Sequence, residues 1–83
     1  MPHRAMSRPL VLYRRESCHL CEYALEALRA AGVVDFDAVD IGWEGALADR
    51  YGWRIPVLRD TGRDRELDWP FDAWSVRRFI ADT

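Results

Sequence analysis

Two residues in the chain have thiols, Cys18 and Cys21, and they stand three apart in the segment Ser17-Cys18-His19-Leu20-Cys21. Residues three apart on a helix share a face with α-carbons about 5 to 6 Å apart, the separation a disulfide requires. The pair is therefore able to close without large backbone movement. Only a thiolate attacks a disulfide, and a helix N-terminus or a nearby cation lowers a thiol's pKa from near 8.5. Cys18 has both to hand: it opens a helical pattern, and Arg15 lies three residues upstream. Cys21 falls one turn deeper. The expected division of labour has Cys18 attacking a substrate disulfide and Cys21 resolving the mixed disulfide. His19, between them, is placed to hold a thiolate or to meet a partner.

Two other uses of the pair stay open at this point. Cys-x-x-Cys is also half of a metal site, for which the remaining ligands are His3, His19 and carboxylates. His3 lies in the leader and His19 adjoins Cys18, so no metal is expected. A non-catalytic binding module with inert thiols and a metal or iron-sulfur carrier are the alternatives to exchange.

The elements that position these residues follow from pattern. Leu10-Val11-Leu12-Tyr13 is a short apolar run suited to a buried strand. Ser17 stands where an N-cap belongs, and Leu20, Cys21, Ala24, Leu25 and Leu28 recur at helical spacing until Gly32. Val33 to Ile41 reads as a second strand, closed by Gly42. Trp43, Leu47 and Tyr51, four apart, predict one face of a short helix ended by Gly52. Ile55-Pro56-Val57-Leu58 and Glu66-Leu67-Asp68-Trp69 flank turn-forming residues and predict a hairpin. Pro56, which cannot donate to a ladder, marks an edge, a bulge or a special peptide bond. Asp72 caps a last helix with an apolar stripe of Ala73, Val76, Phe79 and Ile80. The order is βαβαββα: an α/β domain with a parallel first pair and an antiparallel hairpin, helices flanking a central sheet. Residues 9–83 are expected to form this single domain behind a flexible leader at 1–8.

Composition narrows the function classes. The chain has 83 residues, 49% apolar and 31% charged, with a net charge of −2, a balance typical of globular domains. Its basic residues are spread along the sequence, so no nucleic-acid or anionic-lipid footprint is expected. No apolar run approaches the roughly 20 residues of a membrane span, and no secretory signal is evident. Two cysteines alone exclude a multi-disulfide scaffold. The expectations are a cytoplasmic location and a monomer. Of the four tryptophans, Trp43, Trp53, Trp69 and Trp74, most are expected in the core, with Trp53 the best candidate for exposure.

Leu10 to Tyr13, Cys18-His19-Leu20-Cys21, Ile55-Pro56-Val57-Leu58 and the closing hairpin and helix together resemble glutaredoxins of the thioredoxin-like superfamily, in particular their short bacterial branch. The resemblance spans almost the whole chain and implies a thioredoxin-like fold with a four-stranded mixed sheet. It implies a role in cell redox homeostasis, with Cys18 as nucleophile and Cys21 as resolving thiol. An X–Pro bond is otherwise expected trans, but the resemblance implies a cis Ile55–Pro56 peptide that offers the backbone of Ile55 to a bound thiol. It also places Arg15 near the glycine carboxylate of glutathione. Partners are then protein disulfides or glutathione, the latter as co-substrate, with no tightly bound cofactor. Two segments depart from the pattern. His19-Leu20 stands where Pro-Tyr is usual, and Glu66 to Asp72 lacks the Gly-Gly turn and following Asp that hold the γ-glutamyl end. Asp72 is a candidate replacement.

Overall fold

A computed structural model describes residues 9–81. Chain order is β1 (Leu10–Arg14), α1 (His19–Ala30), β2 (Asp37–Asp40), α2 (Ala46–Tyr51), β3 (Val57–Asp60), β4 (Arg65–Asp68) and α3 (Ala73–Ala81). The strands form one sheet in the order β2-β1-β3-β4. β1 runs parallel to β2 and antiparallel to β3, which pairs antiparallel with β4. The expected α/β architecture with a four-stranded mixed sheet is the observed one. The leader expected at 1–8, including His3, lies outside the described residues. No helix among the described residues is long and apolar enough to cross a membrane.

Strand alternation sorts the side chains onto two faces. Leu10 and Leu12 of β1 and Leu58 of β3 pack with Ala24 and Leu28 of α1, Phe71, and Val76 and Phe79 of α3. The other face carries Tyr13 and Val57, which pack with Ile41 and with Tyr51 of α2. Tyr13 and Tyr51 stack with ring centroids 4.2 Å apart. Each fully buried side chain of this kind contributes on the order of 1.5–3 kcal/mol of transfer free energy, so two small cores hold three helices to four short strands.

Helix α1 stops as its sequence predicts. Gly32 adopts φ +82°, and its N–H and that of Val33 bond back to the carbonyls of Arg29 and Leu28. This double bond pattern satisfies carbonyls that the helix end leaves free.

Four expectations need correction. Ser17 is not the N-cap of α1: it takes φ +57° in the turn, and Cys18 occupies the cap in extended conformation. The second strand is shorter than 33–41, because only Asp37–Asp40 reaches a partner on β1. Val33 and Phe36 pack on the core from the connection instead. Helix α2 begins at Ala46 rather than Trp43, since Gly42 and Gly45 both have positive φ (+68° and +103°) and break the helical path between them. Trp43 is therefore 80% exposed, and Trp53 is 100% exposed. The tryptophans largely line the surface, Trp74 included, while Tyr13, Tyr51, Phe71 and Phe79 fill the cores.

Candidate functional site

Cys18 closes the turn between β1 and α1. As N-cap, its sulfur accepts the N–H of Cys21 at 3.2 Å, a position normally taken by Ser, Thr, Asp or Asn. The same sulfur is joined to that of Cys21 in a disulfide whose α-carbons are 5.2 Å apart. Exposure differs sharply between the two: Cys18 is half-buried and Cys21 is fully buried. Once the bond is reduced, a charge on Cys18 sits where the first N–H groups of the helix converge, and this favours the thiolate. A depression of about 330 Å³ beside the pair is lined by Ser17, Cys18, His19, Glu22 and Tyr23. Glu22 and Tyr23, four and five residues beyond Cys18, escaped the sequence reading. Helical periodicity from Cys18 was the signal that could have found them.

Arg15 lies at the base of the cysteine loop with its guanidinium turned across it. Its Nε donates to the Gly42 carbonyl at 2.7 Å and a terminal nitrogen to that of Gly52 at 3.3 Å. Trp43 covers its face, with the ring centroid 3.9 Å from the guanidinium carbon. The residue thus ties together the three loops that follow β1, β2 and α2. The absence of a side chain at Gly52 permits this: a Cβ there would come within 3.2 Å of an Arg15 nitrogen.

Register brings the remaining residues to the same end of the sheet. Tyr13 pairs with Val57, and Val57 with Asp68. The end of β1 that runs into the cysteines therefore lies beside Pro56, and beside the segment that leaves β4 toward Asp72. The Ile55–Pro56 and Trp69–Pro70 peptides are cis. Pro56 is fully buried, whereas Ile55 is half-buried. Just before it, Arg54 donates to Glu66 and to Asp68, both at 2.6 Å. The Tyr51 hydroxyl donates to the second oxygen of Glu66 at 2.7 Å. These bonds pin the loop leading to Pro56 onto β4. They also set protonation: the hydrogen bonds from Tyr51 and then Arg54 hold the Glu66 carboxyl below its ordinary value, against a smaller opposing effect of burial. Burial and the Glu66 carboxylate push the Tyr51 hydroxyl up, so it stays a donor.

Asp72 serves as the cap of α3. One carboxylate oxygen accepts the backbone N–H of Ser75 at 2.8 Å and its hydroxyl at 3.0 Å, and these bonds hold its carboxyl below the usual range. Among the described residues no group of three or more His, Cys, Asp or Glu is arranged to hold a metal ion. The geometry is that of a half-buried cysteine at a helix start, paired with a fully buried one, at the end of the sheet where the Ile55–Pro56 peptide also lies.

The profile of the family "Glutaredoxin-like domain (DUF836)" matches residues 9–81. The chain belongs to that family. Solved structures share its fold. The crystal structure of the X. campestris protein XcR50 has 49% identity and a TM-score of 0.83, covering 89% of this chain and 97% of that one. Its solution structure gives 48% identity and a TM-score of 0.81, over 90% and 95% of the two chains. The Nitrosomonas europaea protein Ne2328 has 30% identity and a TM-score of 0.72, over 95% and 98%. No curated protein matches. A glutaredoxin-like domain with Cys18 and Cys21 at disulfide distance fits a thiol redox role.

Proposed function

We propose that this glutaredoxin-like domain is a thiol-disulfide oxidoreductase acting on protein or glutathione mixed disulfides. The observation that carries this reading is the asymmetry of the pair: a half-buried Cys18 capping α1 and a fully buried Cys21 bonded to it. Starting from the dithiol, the Cys18 thiolate attacks one sulfur of the substrate disulfide, and the other sulfur leaves as a thiolate that takes up a proton. Cys21 gives up its proton and attacks the Cys18 sulfur, releasing the second substrate thiol. Two electrons pass to the substrate, and the Cys18–Cys21 disulfide remains. A small thiol or a dithiol reductant restores the dithiol by the reverse exchange. Ile55 and Pro56 supply the facing wall, and Arg15 holds the loops in register. His19 meets the incoming substrate. With two cysteines in the whole chain, a reducing compartment such as the cytoplasm suits this chemistry.

The test is reduction of hydroxyethyl disulfide by the pre-reduced protein. Wild type should consume it, and Cys18→Ser should lose the reaction. Cys21→Ser should stall with the mercaptoethanol adduct on Cys18, visible by mass. Full activity in Cys18→Ser would reject the assignment.

A further inference from the structure

Charge around the accessible sulfur is distributed unevenly. Glu22 stands on the wall of the Cys18 depression, with 63% of its side chain exposed. It forms an ion pair at 3.8 Å with Arg14, whose side chain is 18% exposed. The Arg14 Nε is buried and has no hydrogen-bond partner among the described residues. Arg15 directs donors at backbone carbonyls and its face at Trp43. Of the two arginines that precede the cysteines, Arg15 is thus engaged by backbone carbonyls and Arg14 by Glu22. The carboxylates face outward: Glu16 and Asp40, joined through the Glu16 N–H at 3.1 Å, are both exposed. Glu26, one turn beyond Glu22 on α1, is exposed as well. Tyr23, 56% exposed, adds an aromatic face to the same wall.

We propose that Glu22 is a specificity-determining residue that favours disulfides carried on cationic polypeptide segments and disfavours anionic ones. The inference rests on the exchange reading above and names its substrate class. A disulfide sulfur must come within bonding distance of Cys18, which brings its flanking side chains to within one side-chain length of Glu22. At that range a flanking ammonium or guanidinium is attracted, and a carboxylate is repelled. Tyr23 adds a ring against which a guanidinium can lie. Glutathione disulfide carries four carboxylates against two ammoniums and falls in the disfavoured class. Its carboxylates also find the Arg15 donors directed at backbone carbonyls, and its ammoniums find an Asp72 oxygen taken up as a helix cap.

The experiment uses single-turnover reduction by the pre-reduced full chain. Two synthetic peptides each hold one cysteine as a mixed disulfide with mercaptoethanol, flanked in one by Arg and in the other by Glu. Each rate is divided by that of the same peptide with free dithiothreitol, which removes the intrinsic effect of charge on the disulfide. The Arg peptide should react roughly fivefold faster at low ionic strength, with the preference shrinking in about 0.5 M salt. Glu22→Gln should bring the ratio toward one, and Glu22→Arg should invert it. Equal rates in wild type, or a ratio unmoved by Glu22→Gln, overturn the proposal. Hydroxyethyl disulfide separates the two levels. If wild type reduces it but shows no charge preference, only the role of Glu22 falls. If wild type leaves it intact, the exchange reading falls and this inference with it.

Discussion

Replacing Tyr51 by Phe tests the bond network that pins the proline loop to β4. The substitution removes one oxygen and keeps the ring, so the stacking on Tyr13 at 4.2 Å and the burial of the side chain are preserved. What disappears is a 2.7 Å hydrogen bond to a carboxylate and a 3.4 Å contact from Arg59. A hydrogen bond to a charged group contributes about 1.5–3 kcal/mol. The 3.4 Å contact adds little. Glu66 keeps Arg54 at 2.6 Å and Arg50 at 3.9 Å, so its charge is not orphaned. The loss should therefore fall at or just below the lower end of that range, about 1–2 kcal/mol. For a domain of this size, each kcal/mol lowers the melting temperature by about 4–8 °C. Urea denaturation of the disulfide-bonded protein measures the change directly, and Glu66→Gln with the double variant completes a cycle. Tyr51→Phe should cost at least about 0.5 kcal/mol less in the Glu66→Gln background. A cost below about 0.5 kcal/mol in the native background, or full additivity in the cycle, refutes the claim that this bond holds the loop.

Two further outcomes are expected. Gly52→Ala would place a methyl 3.2 Å from an Arg15 nitrogen and 2.5 Å from the Ala48 carbonyl oxygen. It should cost about 1–3 kcal/mol, read as a lowered denaturation midpoint, and an unchanged midpoint would remove the packing argument for that glycine. The second concerns acid. Because Glu66 has its carboxyl held below 4.5 in the folded chain, its contribution is fully present above that value and is lost as pH falls through the folded one. Wild type should consequently lose more stability than Glu66→Gln between about pH 6 and about pH 3. Parallel stability curves for the two proteins would contradict this.

Much of the fold was legible because its signals are local. The apolar run at Leu10, the helical spacing after Cys18, the turn residues between Val57 and Glu66 and the cap at Asp72 each act within a few residues. The cysteine pair was equally plain, since its spacing alone carries the disulfide geometry. The errors came where two local signals competed. Trp43, Leu47 and Tyr51 have helical periodicity, but the backbone at Gly42 and Gly45 turns left-handed and leaves Trp43 outside. Ser17 is the better capping residue by type, yet the turn needs it one position earlier, and a thiol caps in its place. Long-range choices had no local trace. Nothing near Arg15 in sequence indicates that its donors end on Gly42 and Gly52, 27 and 37 residues away. Likewise, the meeting of Tyr51 and Arg54 with Glu66 depends on strand register.

The two outer strands have a consequence for solubility. Among the described residues the sheet has β2 and β4 as its edges, which offer backbone to any extended chain, and the proposed exchange of protein disulfides would bring such chains to it. Here β2 is Asp-Ala-Val-Asp and β4 is Arg-Glu-Leu-Asp, four residues each. Short length and charges on both edges make strand addition costly in desolvation and repulsion. On the exchange reading proposed above, a client would be held by one covalent sulfur bond while these edges keep its backbone from extending the sheet into an aggregate.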